Sequence, residues 1–322
     1  MYTAETAPLA LLFPGQGSQA VGMGQSLLDG SAVARAVFGE AEDILGFELT
    51  RMCREGPAEE LADTYNTQPA LLTVSMAVLR ATAARMGDRL PLPTAFAGHS
   101  MGEYSALVAA GALTFVDGLR LVRERGRLMR EAGLRNPGRM AAVLGMDADD
   151  LAALCLEVTE DCGESVQIAN DNNPAQQVVS GTVAAVAQVE KRAPDRGARR
   201  VVPLDVSIAA HCPLMASAAE GMARAVATVE MREPVAAVVL NTTAEPSRDP
   251  AAIRRELVDQ MTGGVLWRAS VQRIAALGVT AMAELGSGNV LSGLNRRIVR
   301  RMPTPSLQTM ADIESWCAAR ES

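Results

Sequence analysis

The chain has 322 residues, 48% of them hydrophobic, and carries a formal net charge of −7 with a pI near 5.1. That length and apolar content suit a large core, in one unit or in a large unit carrying a smaller one, and the acidic balance argues against nucleic acid as the main partner, because phosphate binding needs a concentrated positive field. No segment reads as a secretory leader or a membrane span, and five cysteines with no CxxC pair argue against a disulfide framework or a zinc site, so a reduced, cytoplasmic protein is expected.

In chain order, residues 9–13 (LALLF) read as a first strand, followed by the turn Gly15-Gln16-Gly17-Ser18-Gln19-Ala20. Its spacing fits the GxGxxA form of a dinucleotide-binding turn. Against that reading, Pro14 precedes the first glycine, and no acidic residue about twenty positions later closes a second clear strand to hold a ribose. Residues 69–86 carry apolar residues at helical spacing with Pro69 in the first turn, and residues 94–98 (TAFAG) read as a buried strand feeding a helix over 100–111.

Residues 139–204 then break the rhythm: strand 140–145, helix 147–158, strands 166–170 and 177–181, helix 183–193 and strand 199–204. That βαββαβ order is the split-βαβ, ferredoxin-like unit. A helix over 212–228, strand 235–240, helix 268–277, strand 279–285 and a last arginine-rich helix from about 289 follow. The pattern predicts an α/β fold with a largely parallel sheet, formed by residues 1–138 and 205–322, with a small ferredoxin-like subdomain inserted over 139–204 and a site in the cleft between them.

Gly98-His99-Ser100-Met101-Gly102 is a GxSxG sequence with a strand before it and a helix after it, as a nucleophile elbow requires. The glycines permit a sharp turn that lifts the Ser100 hydroxyl off the sheet, and the Met101 N–H at the helix start would face a developing oxyanion. Serine needs a base, and the chain has two histidines. His99 adjoins the serine on a turn where neighbours point apart; His211, just past the small unit, is the better candidate, with a buried structural histidine as the competing reading.

Co-linear segments carry a resemblance over nearly the whole chain: LLFPGQGSQ, TQPALL (67–72), GHSMGEYSAL, RGRLM (125–129), MAAVLG, ANDNNPAQQVVSG (169–181), VSIAAHCPLM (206–215) and ELGSGNVLSGLNRRI (284–298). Together they resemble the malonyl-CoA:acyl carrier protein transacylase family of fatty-acid and polyketide synthesis. The resemblance implies a hydrolase-like α/β core with an inserted ferredoxin-like subdomain. It implies a ping-pong transfer in which Ser100, activated by His211, takes an acyl group from acyl-CoA and passes it to the phosphopantetheine thiol of an acyl carrier protein, without cofactor or metal. It assigns Gln16 and Met101 to the oxyanion hole, Arg125 to the malonyl carboxylate, the Leu266 carbonyl to orienting the histidine, and Met101 and Ala210 to the acyl pocket. A monomer is expected.

The chain also departs from the family pattern. Ala210 is small and leaves room for a branched malonyl derivative; Gly263-Gly264 stands where a proline is usual, and Ser287 replaces the proline of ELGPG. Arg296, Arg297, Arg300 and Arg301, and Arg196, Arg199 and Arg200, are candidate basic patches for an acidic carrier, or simply solvated faces. The rival functions are an acyl-thioester hydrolase using the same Ser–His pair, a non-catalytic carrier-binding subunit, and a malonyl-loading subunit of a malonate decarboxylase.

Overall fold

The computed structural model describes residues 1–87, 90–204, 206 and 208–321. Among the described residues ten strands form two sheets: β1 (Tyr2–Phe13), β2 (Leu90–Gly98), β3 (Gly138–Leu144), β4 (Val166–Asn173), β5 (Gln176–Thr182), β6 (Arg200–Pro203), β7 (Ala237–Val239), β8 (Pro246–Ser247), β9 (Ala281–Leu285) and β10 (Ser306–Leu307).

The larger sheet has the order β10-β9-β1-β2-β7-β8 and is parallel except for β8. Its central strands are apolar on both faces, as a sheet covered on both sides must be. Leu9, Leu11 and Phe13 of β1 enter the largest core cluster, while Ala10 and Leu12 enter the cluster on the opposite face with Trp267 and Val271. Because the strands are parallel, the segments after β1, β2, β7 and β9 all leave from one edge, where ligand sites of open α/β sheets lie.

The smaller sheet, order β4-β5-β3-β6, is antiparallel throughout and built from residues 138–203. With helices Ala148–Cys162 and Val183–Arg192 placed after its first and third strands, it is the ferredoxin-like arrangement expected from the βαββαβ reading. Its own core includes Val143, Leu151, Leu154, Val179 and Val186. The expected return to the large unit falls on Asp205, and Ser207 follows in the VSIAAH segment; both lie outside the described residues.

The first long helix runs Thr64–Arg85, five residues earlier than the Pro69 start that the sequence suggested. Asp63 caps it by accepting from the Tyr65 N–H at 3.0 Å. Pro69 lacks the N–H that would bond the Tyr65 carbonyl, and Arg123 donates to that carbonyl instead at 2.8 Å, so the helix tolerates its proline. The helix after the serine is Gly102–Ala109, shorter than the 100–111 expected, and Ser100 lies on the turn before it. Four helices within residues 25–62, helix Pro250–Asp259, and the closing β10 and helix Met310–Glu321 lie outside the elements expected from the sequence, although Ala34, Val37, Phe38 and Ala41 of helix Ala32–Leu45 do recur at helical spacing. The arginine-rich helix Val290–Ile298 is therefore not the last.

Candidate active site

From Ala10 opposite Ala95, β1 and β2 stay in register to their last residues, Phe13 opposite Gly98, so the Gly15–Gly17 turn and the Ser100 turn leave the sheet side by side. The His99 N–H donates to the Phe13 carbonyl at 3.1 Å, joining the two turns. Glycine is obligatory at both flanks of the serine: a Cβ on Gly98 would lie 1.9 Å from the Gly102 carbonyl oxygen, and one on Gly102 would lie 2.2 Å from that of Phe13. Ser100 itself adopts φ +53°, the left-handed conformation of a nucleophile elbow.

Ser100 Oγ lies 2.8 Å from His211 Nε2. His211 Nδ1 lies 2.8 Å from the Gln260 carbonyl oxygen, which only accepts, so Nδ1 carries the proton and Nε2 presents its lone pair to the serine. Burial, reinforced by the nearby Arg125 guanidinium, pushes the imidazole down to about 3. The ring is thus neutral at ordinary pH, the state a general base requires. His99 is turned elsewhere, with Nε2 2.8 Å from Asn172 Oδ1 and its ring tilted against Trp267.

The histidine-orienting carbonyl is that of Gln260, which corrects the expected Leu266. Gln260 closes helix Pro250–Asp259, and the last carbonyls of a helix have no donor within it, which leaves one for the imidazole. Leu266 caps the start of helix Trp267–Ala276, so its carbonyl is taken by the Ser270 N–H at 2.9 Å and the Ser270 hydroxyl at 2.9 Å.

Arg125, on helix Phe115–Arg135, is 2% exposed. Its charged neighbourhood splits by face: Arg127 pairs with Glu124 and Glu131 at the surface, while Arg125 points inward. Nη1 donates to Gln68 Oε1 at 2.9 Å; Nη2 donates to Gln260 Oε1 at 2.9 Å and to Ser100 Oγ at 3.2 Å. Among the described residues it has no carboxylate partner, and its Nε has no acceptor. A buried guanidinium held by two neutral amides and the Ser100 hydroxyl has the charge and the donors to receive an anionic group.

Gln16 sits on the turn beside the serine, its side chain accepting from the Thr64 hydroxyl at 3.0 Å. Met101 is fully buried at the head of the following helix. Among the described residues neither backbone amide finds an intramolecular acceptor. Ala210 is partly buried and touches the cores of both units beside His211. No set of three metal-binding side chains converges among the described residues.

Residues 10–306 match the acyl transferase domain. The malonyl CoA-acyl carrier protein transacylase of Bacillus subtilis is 42% identical over 306 residues, covering 95% of each chain. The chain belongs to the malonyl CoA-acyl carrier protein transacylase family. The Salmonella typhimurium member is 41% identical over 306 residues, 95% of this chain and 97% of its own. Among solved structures, the acyl carrier protein S-malonyltransferase of Vibrio cholerae superposes with a TM-score of 0.92 at 38% identity over 96% of this chain and 100% of that one. A malonyl transacylase solved in complex with a type II PKS acyl carrier protein gives a TM-score of 0.92 at 38% identity over 97% and 100%. Membership in this family also disposes of the dinucleotide reading of the Gly15–Ala20 turn.

Four polar residues around Ser100 and His211 carry no role in the expectations drawn from the sequence. Gln68 and Glu103 lie inside quoted motifs, TQPALL and GHSMGEYSAL, where a polar residue in an apolar run was a usable signal. Asn241 and Gln260 sit after a three-residue strand and at a helix end, and nothing local distinguishes them.

Proposed function

We propose that the chain moves a malonyl group from malonyl-CoA to the phosphopantetheine thiol of an acyl carrier protein through a malonyl ester on Ser100. The reading is supported most by one observation: the Arg125 guanidinium, without a carboxylate partner among the described residues, stands 3.2 Å from Ser100 Oγ. The free malonyl carboxylate supplies the missing counter-charge and orients the thioester carbonyl toward Ser100.

In the first half, Ser100 Oγ attacks the thioester carbon while His211 Nε2 takes the hydroxyl proton, and the oxyanion is held by the Met101 and Gln16 amides. The carbon–sulfur bond breaks and His211 returns the proton to the coenzyme A sulfur. In the second half the carrier thiol gives its proton to His211 and attacks the ester; the carbon–oxygen bond breaks and Ser100 recovers the proton. The negative end of helix Pro250–Asp259, through the Gln260 carbonyl, steadies the transient imidazolium without a carboxylate. Neither half requires a cofactor or metal. Met101 and Ala210 border the acyl group, with malonyl as the first substrate and a branched malonyl as the larger guest that Ala210 leaves room for.

We place residues 139–204 in the small unit and 1–138 with 205–322 in the large one, supported by their separate cores. No helix among the described residues is long and apolar enough to cross a membrane, and we assign the protein to the cytoplasm.

Intact-protein mass after brief mixing with malonyl-, methylmalonyl-, ethylmalonyl- and acetyl-CoA, followed by carrier protein, tests the proposal. The expected result is a malonyl adduct that Ser100→Ala lacks and that moves to the carrier. An adduct lost equally fast to water without carrier overturns transfer in favour of hydrolysis, and an adduct on Ser100→Ala overturns the nucleophile.

A further inference from the structure

We propose that Glu103 is a positioning residue for acyl transfer, its single carboxyl tying the clamp on the nucleophile's turn to the residue that holds the base. The inference rests on the Ser100–His211 transfer reading.

Glu103 follows the elbow directly, on the first turn of helix Gly102–Ala109, and is 0% exposed. One carboxyl oxygen accepts from the Asn241 N–H at 3.2 Å, and the other accepts from Gln260 Nε2 in a short bond. Each of those partners is itself engaged with the reacting groups. Asn241 spans the elbow: its Oδ1 accepts from the Ser100 N–H at 2.7 Å and its Nδ2 donates to the Gly98 carbonyl at 2.7 Å, holding the left-handed Ser100 from both sides. Gln260 offers its carbonyl to His211 Nδ1 at 2.8 Å, its Oε1 to Arg125 at 2.9 Å and its Nε2 to the Ser100 carbonyl at 3.1 Å.

Glu103 touches none of the reacting atoms, so it acts through these two residues. The chemistry explains why a carboxyl stands in a fully buried place: both partners present N–H groups, and a carboxyl offers each of them an oxygen. A glutamine of the same shape offers one acceptor and turns its own N–H₂ against a donor. Burial, with the neighbouring Glu256, holds the carboxyl well above the usual carboxylate range, and the Asn241 and Gln260 donors and Arg125 offset only part of that rise.

The test uses the full-length chain with malonyl-CoA and carrier protein, comparing wild type, Glu103→Gln, Gln260→Ala and the double variant. The expected outcome is a Glu103→Gln enzyme with native circular dichroism, kcat lowered about tenfold or more, and KM for malonyl-CoA within about threefold of wild type. The double variant should be slower than Gln260→Ala alone by clearly less than the factor Glu103→Gln costs in the wild type, because the Gln260 arm is removed only once while the Asn241 arm remains. A Glu103→Gln kcat within about twofold of wild type, or losses that multiply in the double variant, overturns the proposal. A wild type that forms no malonyl adduct overturns the transfer reading first, and this inference with it. Should Glu103→Gln fail to fold, Gln260→Ala and Asn241→Ala test the two arms directly: lowered kcat with retained KM in either supports the proposal, and wild-type kcat in both overturns it.

Discussion

Arg125 and His211 interpret one another. The cation beside the imidazole helps hold it neutral, and a malonyl carboxylate placed on Arg125 cancels that field when the base must accept a proton. Arg125→Ala should therefore cost malonyl transfer about 3 kcal/mol in kcat/KM and acetyl transfer far less, read from competing acyl-CoA substrates; equal losses would remove its carboxylate role. With the base neutral down to about 3, the malonylation rate of the free enzyme should stay level from neutral pH to about 5, measured by single-turnover acylation. The same shift bears on stability. Between about 3 in the folded chain and ~6.5 in the unfolded one, the unfolded state binds the extra proton, so this stabilisation is complete above ~6.5 and is lost as pH falls toward about 3. The urea midpoint should accordingly fall less between pH 7 and pH 5 in His211→Asn than in wild type.

At the scale of elements, the elbow is a backbone device. Each of its two glycines lies closer to a carbonyl oxygen than any Cβ permits, so no rotamer change relieves the contact. Gly102→Ala should lose about 3 kcal/mol or more of stability, seen as a lowered thermal midpoint, together with malonyl adduct formation. A variant with wild-type melting and acylation would show that the turn has slack. The strand–elbow–helix unit was legible because glycine and serine spacing, an apolar strand and a helical pattern agreed locally. The helix Thr64–Arg85 was legible in kind but not in its start, because the group that rescues its proline, Arg123, comes from a helix far along the chain.

At the scale of the molecule, the small unit is fastened to the large one along β4. The Asp171 N–H donates to the Val265 carbonyl at 2.9 Å, and the Val265 N–H to the Ala169 carbonyl at 2.8 Å. Gln167 Nε2 bonds the carbonyls of His211 at 2.8 Å and Thr262 at 2.9 Å, and Arg268 pairs with the mostly buried Asp171 at 2.8 Å. The segment that carries Gln260 to Leu266 is thus held from both units. Arg268→Ala leaves Asp171 without its counter-charge and should lower stability by about 1–3 kcal/mol, measured as a urea midpoint shift at unchanged slope.

What the sequence determined by itself were features set by neighbours in the chain: the βαββαβ run, the GxSxG elbow, the pairing of a lone serine turn with a scarce histidine, and, through co-linear motifs, the family and Arg125. Tertiary structure alone decided which carbonyl faces His211, which amides hold Arg125, and that Glu103, Asn241 and Gln260 form one network. Those contacts join residues from 49 positions apart, His211 with Gln260, to more than a hundred, such as Ser100 with Asn241 and Glu103 with Gln260. Hydrogen bonds of that kind depend on distances of a few tenths of an ångström, which strand register and helix ends set and no local pattern encodes.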